Sequence, residues 1–571
     1  MTRIEAPLAI GRRYLIVADE SSFSPGGGIA ATTERKRASM SRILGREATL
    51  ITPLHHRTAK TNAILKELEV VAPITGVRFR GEEMPLQLLR HRKSNTYFVD
   101  ARDAGPQWFG GSPTPYDTSN LLYDALLFGV AVRQALRLID PGALTQQWVL
   151  ELQDWEAATT ALAMPKGLLI LTLHNSYDRA VSDELLRAFE IDPVGCPGPW
   201  GASEATILER AIPLCLSPIR TVSRQFGRDL LSETFQVHVM ADHLQKVLGV
   251  HGLVGVDNGP FCEVAQGLNL LLAPPNAEAL ASWKREQRQA ALRALDEYQP
   301  AANEEFWGDK AKFNRSSAPW FVMAGREDRR QKGYDVAARA CRSFLLRGGN
   351  ARFLFFPIPA GGNPDGLRFL QELSKEFPAD ILVFPSFFPG FQSFMKGADY
   401  GLMPSLFEPF GMASEFALNG VPVVARATGG ILEQVVPLRA CAAFGDAVES
   451  RVDFPVIAPP TGLLYREPDD VSFRVEDWVA LNDIERDPSR WAESPLFGAM
   501  ASELCLAVEE ASRIVRDQPS LYYRMLVSAV EHVQNRFSWE QNASTYARQV
   551  HESIGRSAAE TYLESEAAAY R

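Results

Sequence analysis

Two doubly wound α/β domains are the fold the sequence predicts, on three observations. Short apolar runs of strand size alternate with helix-sized segments along most of the chain. Glycine-bearing turns follow several of those runs. The alternation breaks once, between about residues 272 and 318, and then restarts. Strands buried on both faces read as continuous apolar runs, and their alternation with helices implies parallel sheets. At 571 residues, with 46% hydrophobic and 22% charged, the chain has material for more than one core.

Taken in order, Tyr14 to Ala18 is the opening buried strand, ending at Asp19. A Ser/Pro/Gly loop leads to a helix over about Ile29 to Leu44, and Glu47 to Pro53 is the next strand. Further strands are expected at Gln147 to Leu152, Gly167 to Leu173, Ala351 to Pro357 and Ile381 to Pro385. Helices are expected at Asn120 to Leu138, Tyr334 to Leu346 and Gly366 to Glu376. Pro274-Pro275 opens a polar helical stretch from Asn276 to Tyr298, and Trp320 to Gly325 begins the second alternating series. The expected divisions are an N-terminal α/β domain over 1–255, a linker and helical segment over 256–318, a second α/β domain over 319–535, and a C-terminal helix, 536–571, packing back on the first domain. The carboxyl ends of two such sheets are expected to face a shared cleft, where sheets of this kind bind phosphorylated ligands.

Composition narrows the function classes. Lys and Arg total 59 against 69 Asp and Glu, a net charge of −10, which argues against a dedicated nucleic-acid binder. No stretch reads as a membrane span or a signal peptide; Leu121 to Ile139 comes nearest but carries Asp124, Arg133 and Arg137. Six scattered cysteines without C-x-x-C spacing fit a reduced, cytoplasmic setting and no metal site. His55-His56 beside Arg57 reads as a surface pair at a strand end, and His243 with His251 lack carboxylate partners at metal-ligand spacing. Arg220 reads as a turn residue, Trp307 and Trp320 as core.

Three constellations carry chemistry. Gly26, Gly27 and Gly28 lie between the first strand and its helix, where a backbone can approach an anion closely. Arg326 and Lys332 follow a strand and precede a helix, so a guanidinium fork and an ammonium can meet a diphosphate. Glu408 stands in a Pro/Gly-rich loop that leads into a helix at Gly411, Met412 and Ala413. Thr428, Gly429 and Gly430 form a second small-residue turn after the next strand.

At these residues the chain resembles the glycogen/starch synthase family of retaining glycosyltransferases, which have the GT-B architecture. Leu402-Met-Pro-Ser-Leu-Phe-Glu-Pro-Phe-Gly411 with Thr428-Gly-Gly-Ile431 is similar to that family's M-P-S-R-F-E-P-C-G and T-G-G-L segments. Arg326 and Gln331-Lys-Gly-Tyr-Asp335 resemble its R-L-T-x-Q-K-G-x-D run. Tyr97 to Asp100, Gln153 to Trp155, Thr172 to Asn175, Thr221 to Ser223, Asp257 to Gly259 and Phe537 to Glu540 follow in family order.

The resemblance implies glucose transfer from ADP-glucose or UDP-glucose to an α-1,4-glucan, with no cofactor or metal. Arg326 and Lys332 would stabilise the departing diphosphate, Glu408 would lie beside the donor sugar, and His174 would line the acceptor side. Asn258 would approach the sugars, and the glycine turns with Met412, Ala413 and Thr428 would hold the nucleotide sugar. No D-x-D occurs, in keeping with metal-free chemistry. Homo-oligomerisation stays open.

The chain also departs from the family. Pro25 replaces the lysine of K-x-G-G-L, and Glu156 replaces the histidine of D-W-H, a negative charge suited to a different sugar or acceptor, or to lost activity. Arg326 and Lys332 are six positions apart instead of five, so their loop must bulge. Phe416 stands where a second glutamate is expected, with Glu415 beside it. A glycosyltransferase with another donor or a small-molecule or protein acceptor, and an idle glucan-binding relative, remain rival readings.

Overall fold

The computed structural model describes residues 12–23, 28–110, 118–142, 147–272, 275–301, 304–359, 362–386, 388–469 and 475–569, with side chains to residue 556. Gly26, Gly27 and Pro25 lie outside the described residues. The chain divides into two compact units, Met1–Phe261 with Ser538–Arg571, and Cys262–Phe537.

The first unit is built on nine strands: β1 Arg13–Val17, β2 Thr49–Pro53, β3 Leu68–Ile74, β4 Leu86–His91, β5 Thr96–Asp100, β6 Trp148–Gln153, β7 Leu168–Leu173, β8 Ile219–Thr221 and β9 Leu253–Gly255. Their order across the sheet is β9-β8-β7-β6-β1-β2-β5-β4-β3. Pairing is parallel from β9 to β5, while β4 and β3 add an antiparallel edge. Neighbours β1 and β6 mark the point where the winding reverses. Helices α1 Gly28–Leu44, α2 Leu121–Ile139 and α3 Asp154–Ala163 pack around this sheet. The apolar run Tyr14 to Val17 is wholly buried, as a central parallel strand requires.

The second unit opens with α4 Ala277–Glu297, capped by the Asn276 side chain on the N–H groups of Glu278 and Ala279. Six parallel strands follow: β10 Trp320–Arg326, β11 Arg352–Ile358, β12 Ile381–Val383, β13 Tyr400–Met403, β14 Val423–Arg426 and β15 Gly462–Tyr465. Their order is β12-β11-β10-β13-β14-β15, so the switch point lies between β10 and β13. Among the helices of the unit are α5 Tyr334–Leu346, α6 Ala413–Leu418, α7 Ile431–Gln434, α8 Pro495–Asp517 and α9 Pro519–Arg536. The segment 262–318, expected as a linker, is built into this unit. Ala291, Leu295, Tyr298 and Phe313 share its core with Trp320, Val322, Leu354 and Phe384, because the apolar stripe of α4 has no other face to cover.

The final helix, α10 Trp539–Ala569, belongs to the first unit. Ala543, Tyr546, Ala547 and Val550 pack with Tyr14, Ile16, Val149 and Ile170. Arg220 is fully buried and bonds the Gln549 carbonyl at 3.1 Å and the Ser553 hydroxyl at 2.7 Å, so it ties β8 to this helix. Trp307 and Trp320 are core residues. Among the described residues, no helix is long and apolar enough to cross a membrane, and no three His, Cys, Asp or Glu side chains converge as metal ligands.

Candidate functional site

In the second unit, the predicted residues gather at the carboxyl ends of β10 and β13, the switch point of the sheet. Glu408 is buried, and its Oε2 accepts from Lys332 Nζ at 2.7 Å and from Ser405 Oγ at 2.9 Å. Gln331 Nε2 donates to its Oε1 at 3.4 Å. A buried carboxylate is stable only with such partners. Lys332, Ser405 and Glu408 line a small recess of about 10 Å³ together with Met323, Ala324 and Met412.

The loop between β10 and α5 brings Lys332 there. The Asp328 carbonyl accepts from the N–H groups of Gln331 at 3.0 Å and Lys332 at 2.7 Å, a turn that takes up the extra residue between Arg326 and Lys332. Gly333 at φ +68 then starts α5, and Leu406 N–H donates to the Gln331 carbonyl at 2.7 Å, stitching the two site loops together. Arg326 ends β10 and is exposed.

Glycines fix the Glu408 loop. Gly411 has φ +93, and a Cβ there would come within 2.6 Å of Glu408 Cγ. Gly429 has φ +49, and a Cβ would overlap the Glu408 carbonyl oxygen, to which Gly430 N–H donates at 2.8 Å. Thr428, Met412 and Ala413 border the same loops, Thr428 and Ala413 buried. The expected row of free amides at the start of α6 is shortened. Ser414 N–H donates to Gln434 Oε1 at 2.8 Å, and the Gln434 amide in turn bonds the Phe410 carbonyl. Phe416, in the place of a second glutamate, packs flat against Gly401 in the core, and Glu415 is buried beside it in α6.

The sequence reading missed the support of this loop. Arg426, at the end of β14, is fully buried, pairs with Glu467 and donates to the Leu406 carbonyl at 2.8 Å. Its only sequence signal was a charge closing an apolar strand. Ser405 and Gln331 lie within the family-like motifs, but nothing in their spacing marks them as partners of Glu408.

His174 belongs to the first unit, directly after β7, whereas Glu408 belongs to the second. Its N–H donates to Asp154 Oδ1 at 2.5 Å, and Asn175 Nδ2 donates to Asp154 Oδ2 at 2.9 Å. Asp154 adopts φ +59, which is uncommon for a non-glycine residue. Glu156 is buried in the first turn of α3. Burial, with Asp154, Asp19 and Glu20 nearby, holds its carboxyl well above the usual range. The negative charge expected at this position is therefore suppressed, because burial and three acidic neighbours favour the protonated form. His55 is buried, not on the surface: its Nε2 lies 2.8 Å from the Asp19 carbonyl, and although burial lowers its pKa, Asp19 raises it on balance. Asn258 follows β9, buried, its N–H on the Val222 carbonyl at 3.1 Å. Gly28 begins α1 with open space around it, so nothing in the described neighbourhood demands a glycine there.

Comparison with known proteins adds kinship to this geometry. Residues 278–450 match a family model described as "Family 4 Glycosyltransferase in conflict systems". The glycogen synthase of Lacticaseibacillus casei is 28% identical over 230 residues, 40% of this chain and 43% of that protein. The glycogen synthase of Xanthomonas oryzae pv. oryzae is 34% identical over 122 residues, 21% of this chain and 23% of that protein. The matched stretches thus span less than half the length of these relatives. Among solved structures, the catalytic domain of starch synthase IV from Arabidopsis thaliana, bound to ADP and acarbose, superposes with TM-score 0.68 at 15% identity. That match covers 95% of this chain and 99% of the other, and the fold is accordingly GT-B.

Proposed function

From the premise that this chain belongs with the glycogen/starch synthase-like glycosyltransferases, we propose that it transfers glucose from a nucleoside diphosphate glucose, ADP-glucose or UDP-glucose, to an α-1,4-glucan with retention. The observation that carries this reading is the Glu408–Lys332 pair at the switch point of a parallel six-stranded sheet. The bond between the sugar C1 and the diphosphate oxygen breaks, and one between C1 and an acceptor hydroxyl oxygen forms. The hydroxyl proton passes to the departing phosphate oxygen, so no protein base is needed. Lys332 has three N–H donors; one serves Glu408, and the others can turn to the diphosphate. Arg326, at the adjacent strand end, adds a second positive charge. Glu408 stands beside the sugar, countering positive charge that grows on C1. The reaction needs no metal, because the two basic side chains neutralise the leaving group.

The acceptor is a neutral polyol on this reading. Asp19, Glu20 and Asp154 stand near one another at the strand ends of the first unit, and they disfavour an anionic acceptor such as a sugar phosphate.

The test is release of nucleoside diphosphate by the purified protein, with ADP-glucose and UDP-glucose each supplied with and without glycogen, in the presence of a metal chelator. Primer-dependent release is expected with one donor. In Glu408→Ala and Arg326→Ala it should fall by roughly two or three orders of magnitude, the size of lost oxyanion-type stabilisation. Silence with both donors, alongside retained glycogen binding, would instead point to the idle, glucan-binding relative.

A further inference from the structure

The first unit buries a polar chain that the reaction above does not use. Glu151 lies in β6 with no exposure at all. Four donors converge on it: the Lys36 ammonium from α1, the Tyr14 hydroxyl from β1, the Gln153 amide at 2.6 Å and the Thr172 hydroxyl at 3.3 Å. Tyr546 of α10 closes the cluster, its ring centroid 3.3 Å from Lys36 Nζ and its hydroxyl 3.0 Å from that of Thr172. Burial alone would raise the Glu151 pKa, but Lys36 and the hydrogen bonds outweigh it and hold the carboxyl below its ordinary range.

The ionised Glu151 dictates the direction of every bond outward from it. A carboxylate only accepts, so the end of the Gln153 amide that faces it is the NH2. The other end, Oε1, then faces His174 Nε2 at 2.6 Å. An amide oxygen also only accepts, so His174 must carry a proton on Nε2. Burial, and the Lys36 charge after it, push the imidazole pKa down to about 3. The ring is therefore neutral, with its lone pair on Nδ1. Among the described residues Nδ1 makes no hydrogen bond, and the half-buried ring stands at the carboxyl end of β7, two strands from the switch point.

We propose that Glu151 and Gln153 are positioning residues that lock His174 in its Nε2–H form, so that Nδ1 is presented solely as a hydrogen-bond acceptor to a sugar hydroxyl. Only the sugar in this statement rests on the proposed function; the locked tautomer rests on the Glu151–Gln153–His174 geometry. The groups that act electrostatically on the ring are Lys36 from α1 and Glu151 from β6, while Asp154 from the start of α3 holds its backbone. An aqueous histidine would be largely charged at about pH 5; His174 stays neutral there.

The full-length protein labelled with 15N-histidine tests this by long-range 1H–15N correlation, the His174 signals being identified by their loss in His174→Phe. The expected pattern is Nε2 protonated and Nδ1 bare, unchanged between about pH 8 and about pH 5. An Nδ1–H ring, or an imidazolium in that range, would overturn the proposal. Glu151→Gln strips the buried Lys36 of its counter-charge and endangers the fold, so the unaltered chain carries the first reading. Gln153→Met, close in length but lacking the amide, supplies the second. It should give a mixture of tautomers and a roughly tenfold rise in KM for glucan at little cost in kcat, the effect of one lost hydrogen bond. An unchanged Nε2–H ring in Gln153→Met would remove Gln153 from the role. Should the tautomer be as expected while no nucleotide is released, the locked ring stands and the proposed function falls.

Discussion

Glu408 is held by its own neighbours before any ligand arrives: Lys332, Ser405 and Gln331 on the carboxylate, and Gly430 on the carbonyl. Gly429 makes the last of these approaches possible. Gly429→Ala places a methyl group on the Glu408 carbonyl, so the loop must move. The expected result is a loss of about 1–3 kcal/mol in urea unfolding and a fall in kcat at least as large as that of Ser405→Ala. A second residue makes a prediction about pH. Asp124 is buried, with the N–H of Phe109 at 3.2 Å and Asn120 Nδ2 at 2.8 Å on one oxygen. Burial pushes its pKa up to about 7, against about 3.9 for a free side chain. Between those values the folded chain holds a proton that the unfolded chain has released, so this group's contribution to stability is full at acid pH and is lost as pH rises through 7. Asp124→Asn keeps an acceptor oxygen for both donors and cannot ionise. Urea unfolding across this pH range should show a shallower decline in Asp124→Asn than in the unaltered chain, the difference isolating Asp124 from His55 and His174.

The elements behind the site depend on a pair that no local pattern reveals. Arg426 and Glu467 close β14 and follow β15, both buried, and Arg426 also holds the Leu406 carbonyl. Arg426→Met leaves the buried Glu467 with Arg466, 3.2 Å away, as its remaining cationic partner, and should cost about 3 kcal/mol; replacing both Arg426 and Glu467 by apolar residues should restore only part of that, because Arg466 then lies buried without its carboxylate. A double-mutant cycle by urea unfolding checks it, with independent, additive losses as the contrary result. This pair also shows where reading the sequence stops. The longer parallel strands were legible because burial on both faces leaves a plain apolar run, whereas the short Leu253–Gly255, Tyr400–Met403 and Gly462–Tyr465 were not expected; Tyr334 to Leu346 was found residue for residue. The edge strands β3 and β4 were not. Leu68–Ile74 has an apolar run, Val70 to Ile74, but Pro73 interrupts it, and Val70 and Val71 face solvent, so it has neither a strand's usual composition nor a clean alternation. Glu408, Lys332 and the glycine turns were legible as a motif in a strand–loop–helix setting. Arg426–Glu467 and the Glu151 cluster were not, because their partners come from strands and helices far apart in sequence, and a buried charge looks like any other charge until its partner is placed.

At the scale of the whole chain, the two units are threaded differently, and this has a consequence for how each can stand alone. The second unit is a single stretch, Cys262–Phe537, with its own six-stranded sheet and a core that includes α4. The first is interrupted: its sheet comes from the start of the chain, but Ala543, Tyr546, Ala547 and Val550 of α10 complete the core around Tyr14, Ile16 and Val149. Tyr546 also covers Lys36, and Ser553 takes a hydrogen bond from the buried Arg220. A fragment of residues 262–537 should therefore fold cooperatively on its own and, if the diphosphate is held by Arg326 and Lys332, bind ADP or UDP in calorimetry without transferring glucose. A fragment of residues 1–261 lacks the helix that buries its own polar cluster, and should expose apolar surface and unfold at lower urea concentration than the same unit in the full chain. Adding the α10 segment to that fragment through a short flexible linker should recover much of the difference, since loop closure costs little per added residue. A 1–261 fragment as stable as the unit in the intact protein would mean that α10 merely rests on the sheet. A 262–537 fragment that folds but ignores both nucleotides would take the diphosphate away from Arg326 and Lys332, and with it the proposed transfer.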